Sequence, residues 1–308
     1  MKAQLACDVD YDKVKWPVYL QPKIDGVRAL VVDGKLVGRS GKRFRSTANN
    51  RLFDRPELSG MDGEMVRGSE TSPNLCGDTT SALSSFNGQT CRWYVFDDFS
   101  EPDLPYFERL DNLIKRVRAL PFDLKDVISV VETYAEVYRD CEVTLRKEMV
   151  DEGYEGTILR DPSAPYKFGK CTPKEANFFK VKSFHDAEVR VTKLLEGQTN
   201  HNELTHSPIG KAERSTKKAG LVPSGLLGGL VGELVEPLEL HEKTLPIGTA
   251  LIISPGKLTH QQRAEMWADP TLVIGKLVKF QYFKHGAKDK PRFPTFQCFR
   301  VEEDLCQS

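Results

Sequence analysis

Apolar and polar positions divide the chain into short runs with two different periods. Val27-Arg28-Ala29-Leu30-Val31-Val32 is rich in β-formers, Asp33-Gly34 follows, and Lys35-Leu36-Val37 resumes the run. An Asp-Gly pair between such runs predicts a two-residue hairpin, because a type I′ turn needs positive φ at both central positions. Further strand-like runs lie at 61–66, 93–96, 128–131, 156–160 and 177–182. The period changes over 106–120, where Phe107, Leu110, Ile114 and Val117 recur at helical spacing and Pro121 marks the stop. Residues 141–152 form a second helix candidate that ends before Gly153. Strands and helices mix without strict alternation, which predicts an α+β domain rather than a doubly wound sheet.

Beyond about residue 184 short β-rich runs dominate, at 189–195, 230–234, 249–253, 277–283 and 295–301, with one helix candidate at 259–268. Five short strands and one helix predict a small Greek-key β-barrel of the OB-fold type. The stretch 197–229 is rich in Gly, Ser, Thr, Asn and Lys and has no periodicity. It reads as a long irregular insertion, of the kind that is functional or disordered. The expected division is 1–183 and 184–308, without internal repeats.

Composition narrows the class. The chain has 308 residues, 39% hydrophobic and 29% charged, which is ordinary for a globular protein able to bury a core without staples. No apolar run approaches the ~20 residues needed to span a bilayer, so no membrane partner is expected. The first residues lack the apolar core of a secretory signal. Seven scattered cysteines without a C-x-x-C argue for a reducing, intracellular setting and against a structural zinc site.

Net charge is zero, with 44 basic against 44 acidic residues, yet the charges are sorted. Four segments (35–55, 167–182, 211–218 and 276–292) hold 22 of the basic residues and only four acids. Each alone reads as a solvated surface. Together they point to a segregated basic surface suited to a polyanion, whatever the net charge.

The sharpest chemical signal is Lys23-Ile24-Asp25-Gly26-Val27-Arg28. A lysine held at a strand end by a tight turn can act as a nucleophile if neighbouring cations and desolvation lower its pKa from about 10.4. Downstream come Arg39, then Met61-Asp62-Gly63-Glu64, then Trp93-Tyr94-Val95-Phe96-Asp97. Tyr154-Glu155-Gly156 through Arg160, Phe178-Phe179-Lys180-Val181-Lys182, and Pro291-Arg292-Phe293-Pro294 with Arg300 and Asp304 complete the series. Taken singly, Phe96 reads as core, Glu155-Gly156 as a turn, and Lys180 with Lys182 as one solvated strand face. The six histidines show no metal-ligand spacing.

In this order the motifs resemble those of the covalent nucleotidyltransferases, and within them the ATP-dependent DNA ligases, above all the minimal viral ones. The resemblance covers nearly the whole chain and includes Asp78-Thr79-Thr80-Ser81-Ala82, Tyr166-Lys167-Phe168-Gly169 and Arg214-Ser215-Thr216-Lys217-Lys218. It implies a nucleotidyltransferase (adenylation) domain followed by an OB-fold domain. It implies that Lys23, in the turn set by Asp25, attacks the α-phosphate of ATP to form lysyl-AMP. Arg28 and Arg39 would contact the ribose or the nucleotide phosphate, and later the 5′-phosphate at a nick. Glu64 and Glu155 would serve the ribose and a divalent metal, Mg²⁺ or Mn²⁺. Phe96 would stack on adenine, and Lys180 and Lys182 would meet the α-phosphate. Arg292, Arg300 and Asp304 would orient the leaving pyrophosphate. The partner implied is nicked duplex DNA, bound by a monomer.

Insertion 197–229 would then be a latch that closes around the duplex, with Lys211, Arg214, Lys217 and Lys218 on phosphates. Lys42 joins them as a DNA contact. With Lys23 so near Met1, no separate N-terminal DNA-binding domain is expected. The implied setting is a bacterial host's cytoplasm, or the host nucleus or a virus factory. Three departures stand out. Gly38 precedes Arg39 where the motif commonly has Ser or Thr, so a hydroxyl contact is lost or moved to Ser40. Leu305 follows Asp304 where a basic residue stands in the minimal viral enzyme that the chain most resembles, which puts one pyrophosphate contact in question. Gln21-Pro22 precede Lys23 where many ligases carry an acid two positions before the lysine. An mRNA capping guanylyltransferase, an RNA ligase and a non-catalytic nucleic-acid-binding barrel remain as alternatives at this stage.

Overall fold

The computed structural model describes residues 1–240 and 243–300. Its contacts divide the chain into two units. One comprises Met1–Ser183 with His206–Lys211, the other Phe184–Thr205 with Ala212–Ser308.

The first unit carries two five-stranded sheets. One has the order Lys35–Gly38, Val27–Val32, Met61–Val66, Arg92–Asp98, Ile128–Val130. The other runs Cys7–Asp8, Phe178–Lys182, Gly156–Arg160, Val18–Pro22, Tyr134–Val137. The predicted hairpin is present, with Asp33 at φ 49° and Gly34 at φ 70°.

Side-chain alternation assigns two faces to each sheet. In the first sheet Ala29, Val31, Met65 and Val95 turn inward with Trp93, Phe53 and Leu113. Helix Tyr106–Arg118 covers this face through Tyr106, Leu110 and Leu113. The intervening residues Arg28, Glu64 and Phe96 turn to the opposite face. In the second sheet Val18, Leu20, Leu159, Phe179 and Val181 form a core with Met149 of helix Arg139–Asp151. Gln21, Ile158, Arg160, Lys180 and Lys182 take the other face. Each buried aliphatic or aromatic side chain contributes about 1.5–3 kcal/mol, so both faces are strongly specified and the polar faces follow from them. Helices Thr47–Phe53 and Leu75–Ser84 are additions to the elements expected from sequence.

The second unit is built on a five-stranded sheet of order Ala250–Ile253, Leu221–Leu234, His185–Asn200, Leu277–Phe283, Arg292–Arg300. Helix His260–Ala268 begins at Thr259, whose hydroxyl and Gln262 form a capping box. Among the described residues the two edge strands meet at a single bridge, Ser254 with Thr295, so no continuous ladder closes the expected barrel.

The insertion at 197–229 is not the irregular loop its composition suggests. The ladder between His185–Asn200 and Leu221–Leu234 continues out to Asn200 opposite Leu221. Strands Leu204–His206 and Ala212–Arg214 pair beyond it. Leu204, Thr205 and His206 are all exposed, so these strands have no buried face to impose alternation on the sequence. Among the described residues no helix is long and apolar enough to cross a membrane.

Candidate active site

Three neighbouring strands of the first unit bring the chemical groups to one end of their sheet. Pro22 pairs with Thr157, and Gly156 with Lys182. Lys23 therefore lies beside Glu155 and across from Lys182. Its backbone is pinned there: Lys23 N donates to the Gly156 carbonyl (2.8 Å), and Glu155 N donates to the Lys23 carbonyl (3.1 Å).

The two motif glycines are explained by close backbone approach. A Cβ on Gly26 would lie 2.2 Å from the Met65 carbonyl oxygen. One on Gly156, at φ +149°, would lie 2.1 Å from that of Val181. Any side chain at either position would push Lys23 or Glu155 out of place.

Glu155 bridges two lysines. Lys23 Nζ donates to its Oε2, and Lys182 Nζ stands 2.6 Å from its Oε1. The carboxylate is 6% exposed and would be pushed up by that burial, but Lys23 and Lys182 hold it down at about 2. Burial would depress Lys23 in turn, yet Glu155, Glu64 and Asp25 outweigh it and raise its pKa. This corrects the expectation that surrounding cations lower the lysine's pKa. In this structure carboxylates are the nearer neighbours, and Lys23 rests as an ammonium.

The cavity around Lys23 measures about 380 Å³, within the range that holds small-molecule ligands. Lys23, Arg28, Arg39, Glu64, Phe96, Lys180 and Lys182 all line it, and so do the apolar Ile24, Val131, Ile158 and Phe178. Half-buried Asp25 adds its charge to both Lys23 and Glu64. Arg39 is exposed, in the turn after strand Lys35–Gly38. Lys180 also pairs with the exposed Asp8 at 3.3 Å. The Phe96 ring has the Arg28 guanidinium 4.4 Å and the Arg160 guanidinium 5.4 Å from its centre.

Glu64 differs from Glu155. Burial pushes it up to about 7, although Arg28 and Lys23 pull the other way. It makes no hydrogen bond or ion pair among the described residues. No cluster of three or more metal-ligating side chains exists among the described residues either. The donor chemistry nonetheless fits a small hard cation, which takes one or two carboxylates and completes its shell with water and phosphate oxygens. Glu64 has both oxygens to offer, and Glu155 would have to give up a lysine.

The fold recurs in proteins of known structure. The crystal structure of Chlorella virus DNA ligase-adenylate is 26% identical, with a TM-score of 0.52 over 98% of this chain and 99% of that one. A Lig E DNA ligase matches with a TM-score of 0.69 and 21% identity over 97% of this chain and 99% of that one. The fold is that of the DNA ligases. Residues 239–300 match the family model of the DNA ligase OB-like domain. The DNA ligase of an African swine fever virus isolate is 27% identical over 196 residues, covering 58% of this chain and 45% of the relative. The chain thus spans less than half the length of the curated relatives it matches.

Other expected site residues lie in the second unit. There Arg292 donates to the His285 carbonyl (3.4 Å) and stands over the Phe293 ring, and Arg300 pairs with Glu188 at 3.0 Å. Lys42 and Lys211 of the first unit and Arg214, Lys217 and Lys218 of the second are all exposed. Asp304 and Leu305 lie outside the described residues.

Sequence reasoning missed the groups that support the site. Asp97 is fully buried and binds two guanidiniums, Arg109 at 2.8 Å and Arg160 at 2.6 Å. Arg160 also donates to Gln21 (3.2 Å), whose amide donates to Thr133 (2.9 Å). Asp62 holds Arg28 in a two-point grip. Asp97, Arg160 and Asp62 all fall inside the motif stretches, which was the available signal. Arg109 is hidden among the surface charges of a helix.

Proposed function

We propose that this chain is an ATP-dependent DNA ligase that seals 5′-phosphate/3′-hydroxyl nicks in duplex DNA. The observation that carries this reading is the bridge Lys23–Glu155–Lys182, whose two lysines line a cavity together with Arg28, Glu64 and Phe96. Residues 1–183 act as the nucleotidyltransferase part, and 184–308 as the OB-fold part.

In the first step Lys23 releases its ammonium proton to solvent, attacks the α-phosphorus of ATP as the neutral amine, and sheds a second proton to solvent as the phosphoramidate forms. A P–N bond forms, the bond to the β-phosphate oxygen breaks, and pyrophosphate departs. Lys180 and Lys182 offset the charge that builds on the α-phosphate oxygens, the usual source of rate in phosphoryl transfer. Arg292, Arg300 and Asp304 orient the pyrophosphate. The apolar walls and Phe96 hold the adenine. In the second step AMP passes from Lys23 to the 5′-phosphate at the nick. In the third the 3′-hydroxyl attacks that phosphate and AMP leaves. Arg28 and Arg39 contact the nucleotide first and the nick phosphate afterwards. A divalent cation such as Mg²⁺, held by Glu64 and Glu155, supplies further charge neutralisation when bound. Lys42, Lys211, Arg214, Lys217 and Lys218 contact DNA phosphates, which position the duplex without reading its sequence. The chain acts on DNA as a monomer.

The test is transfer of label from α-labelled ATP to the protein, followed by sealing of a labelled nicked duplex, with wild type beside Lys23→Ala. Wild type is expected to become labelled and to seal. The variant is expected to do neither, with a rate at least about 10³-fold lower, as for loss of a nucleophile. Labelling by GTP alone, or sealing that survives the substitution, would sink the reading.

A further inference from the structure

Arg28 is gripped from behind by groups that line no part of the cavity. Its Nε and Nη2 donate to the two oxygens of Asp62, each at 2.6 Å, and Nη2 also donates to the Gln4 carbonyl at 3.1 Å. The Tyr166 hydroxyl donates to Asp62 Oδ2 at 2.7 Å and accepts from the Gln4 N–H at 3.0 Å. Asp62 is fully buried and Tyr166 is 4% exposed. The Tyr166 ring is wedged against Phe99 and Phe168, with centroids 5.5 and 5.2 Å away. The N-terminal segment that supplies Gln4 is itself tied down: Leu5 N donates to Gly169 O (2.8 Å) and Cys171 N to Leu5 O (2.8 Å).

One edge of the Arg28 fork is therefore committed to the fold. Its Nη1 makes no hydrogen bond among the described residues, and Arg28 lines the cavity. A guanidinium is planar and rigid, so fixing one edge fixes the direction of the other. Without the tyrosine hydroxyl, Asp62 Oδ2 would lose its second donor and the Gln4 N–H its buried acceptor. Asp62 could then tilt, and Arg28 with it.

We infer that Tyr166 is a positioning residue, which through Asp62 aims the remaining N–H pair of Arg28 at the α-phosphate of the nucleotide. This rests on the ligase reading and deepens it. Tyr166 touches no reacting atom and acts only through Arg28.

The experiment is a double-mutant cycle of Tyr166→Phe and Arg28→Ala. It follows the single-turnover rate of Lys23 adenylylation at saturating ATP, together with the apparent KM. Tyr166→Phe keeps the ring packing and is expected to slow adenylylation about tenfold while KM changes less than about threefold, the pattern of a lost transition-state contact. In the Arg28→Ala background it is expected to cost nothing more, because residues acting as a unit are not additive. A wild-type rate for Tyr166→Phe, or the same tenfold loss added on top of Arg28→Ala, overturns the inference. If Tyr166→Phe does not fold, Asp62→Asn cuts the same link from its other side and is judged by the same cycle. A wild-type chain that takes up no label from ATP overturns the ligase reading as well, which separates the two failures.

Discussion

Glu64 imposes a cost on the fold that should be visible as a function of pH. Its ordinary pKa of 4.5 is raised to about 7 in the folded chain, with burial as the main cause. Below pH 4.5 the carboxyl is protonated in both states and costs nothing. Between 4.5 and 7 the folded chain holds a proton that the unfolded chain has released, so stability falls as pH rises. Above 7 the full penalty is present, about 3 kcal/mol from the two pKa values. Glu64→Gln keeps the shape and cannot ionise. Its advantage over wild type should therefore grow by about 3 kcal/mol between pH 4.5 and pH 8.5. For a unit of this size that corresponds to a relative gain in Tm of roughly 6–12 °C. The assay is thermal unfolding of both proteins across that range, without nucleotide and with a chelator present. Titrating groups remote from Glu64 affect both proteins equally and drop out of the difference. A Tm difference that stays constant with pH would refute the reasoning. The same substitution should reduce adenylylation, since an ionised Glu64 is what a cation and a ribose would engage.

Two further outcomes follow from buried and exposed charge. Asp97→Asn leaves Arg109 and Arg160, 2% and 3% exposed, without their counter-ion. It should destabilise the chain by about 3–5 kcal/mol, read as a lower urea midpoint with an unchanged slope; an unshifted midpoint would show that the ion pairs carry no such energy. Removing Lys217 and Lys218 together, both exposed on the insertion, should lower the slope of log affinity for nicked duplex against log salt by about 2. An unchanged slope would remove the insertion from the DNA interface.

Much of the first unit was legible because its signals are local. The Asp33-Gly34 turn takes the two positive φ values its sequence demands. Helix Tyr106–Arg118 lies within the stretch where the apolar period is 3.6. The two short helices were not legible. Thr47–Phe53 has seven residues and buries only Asn49 and Phe53, too little to show a period, and its start depends on the Ser46 side chain accepting from Asn49 N. The strands of the insertion were hidden for the opposite reason, since water bathes both faces of Leu204–His206. The support behind the site was least legible. Asp97, Arg109 and Arg160 come from a strand, a helix and a strand of the other sheet, and only folding brings them within 2.8 Å.

The charge state of Lys23 shows where sequence reasoning stops. Counting nearby lysines and arginines along the chain predicts a depressed pKa. In three dimensions the sign depends on which charges are nearest, and Glu155 is in direct contact. Two opposing effects are already in place. Burial favours the neutral amine that can attack phosphorus, and Glu155 favours the ammonium that cannot. Glu155 is itself held at about 2 by the two charged lysines, so it stays ionised while they are charged. It acts as a counter-ion. Whatever draws Glu155 from Lys23, such as a cation competing for its oxygens, removes the largest charge opposing burial and lowers the lysine's pKa, with Glu64 and Asp25 still acting against that fall. In the proposed reaction, the same carboxylate that keeps the resting lysine protonated would couple its activation to the arrival of the nucleotide.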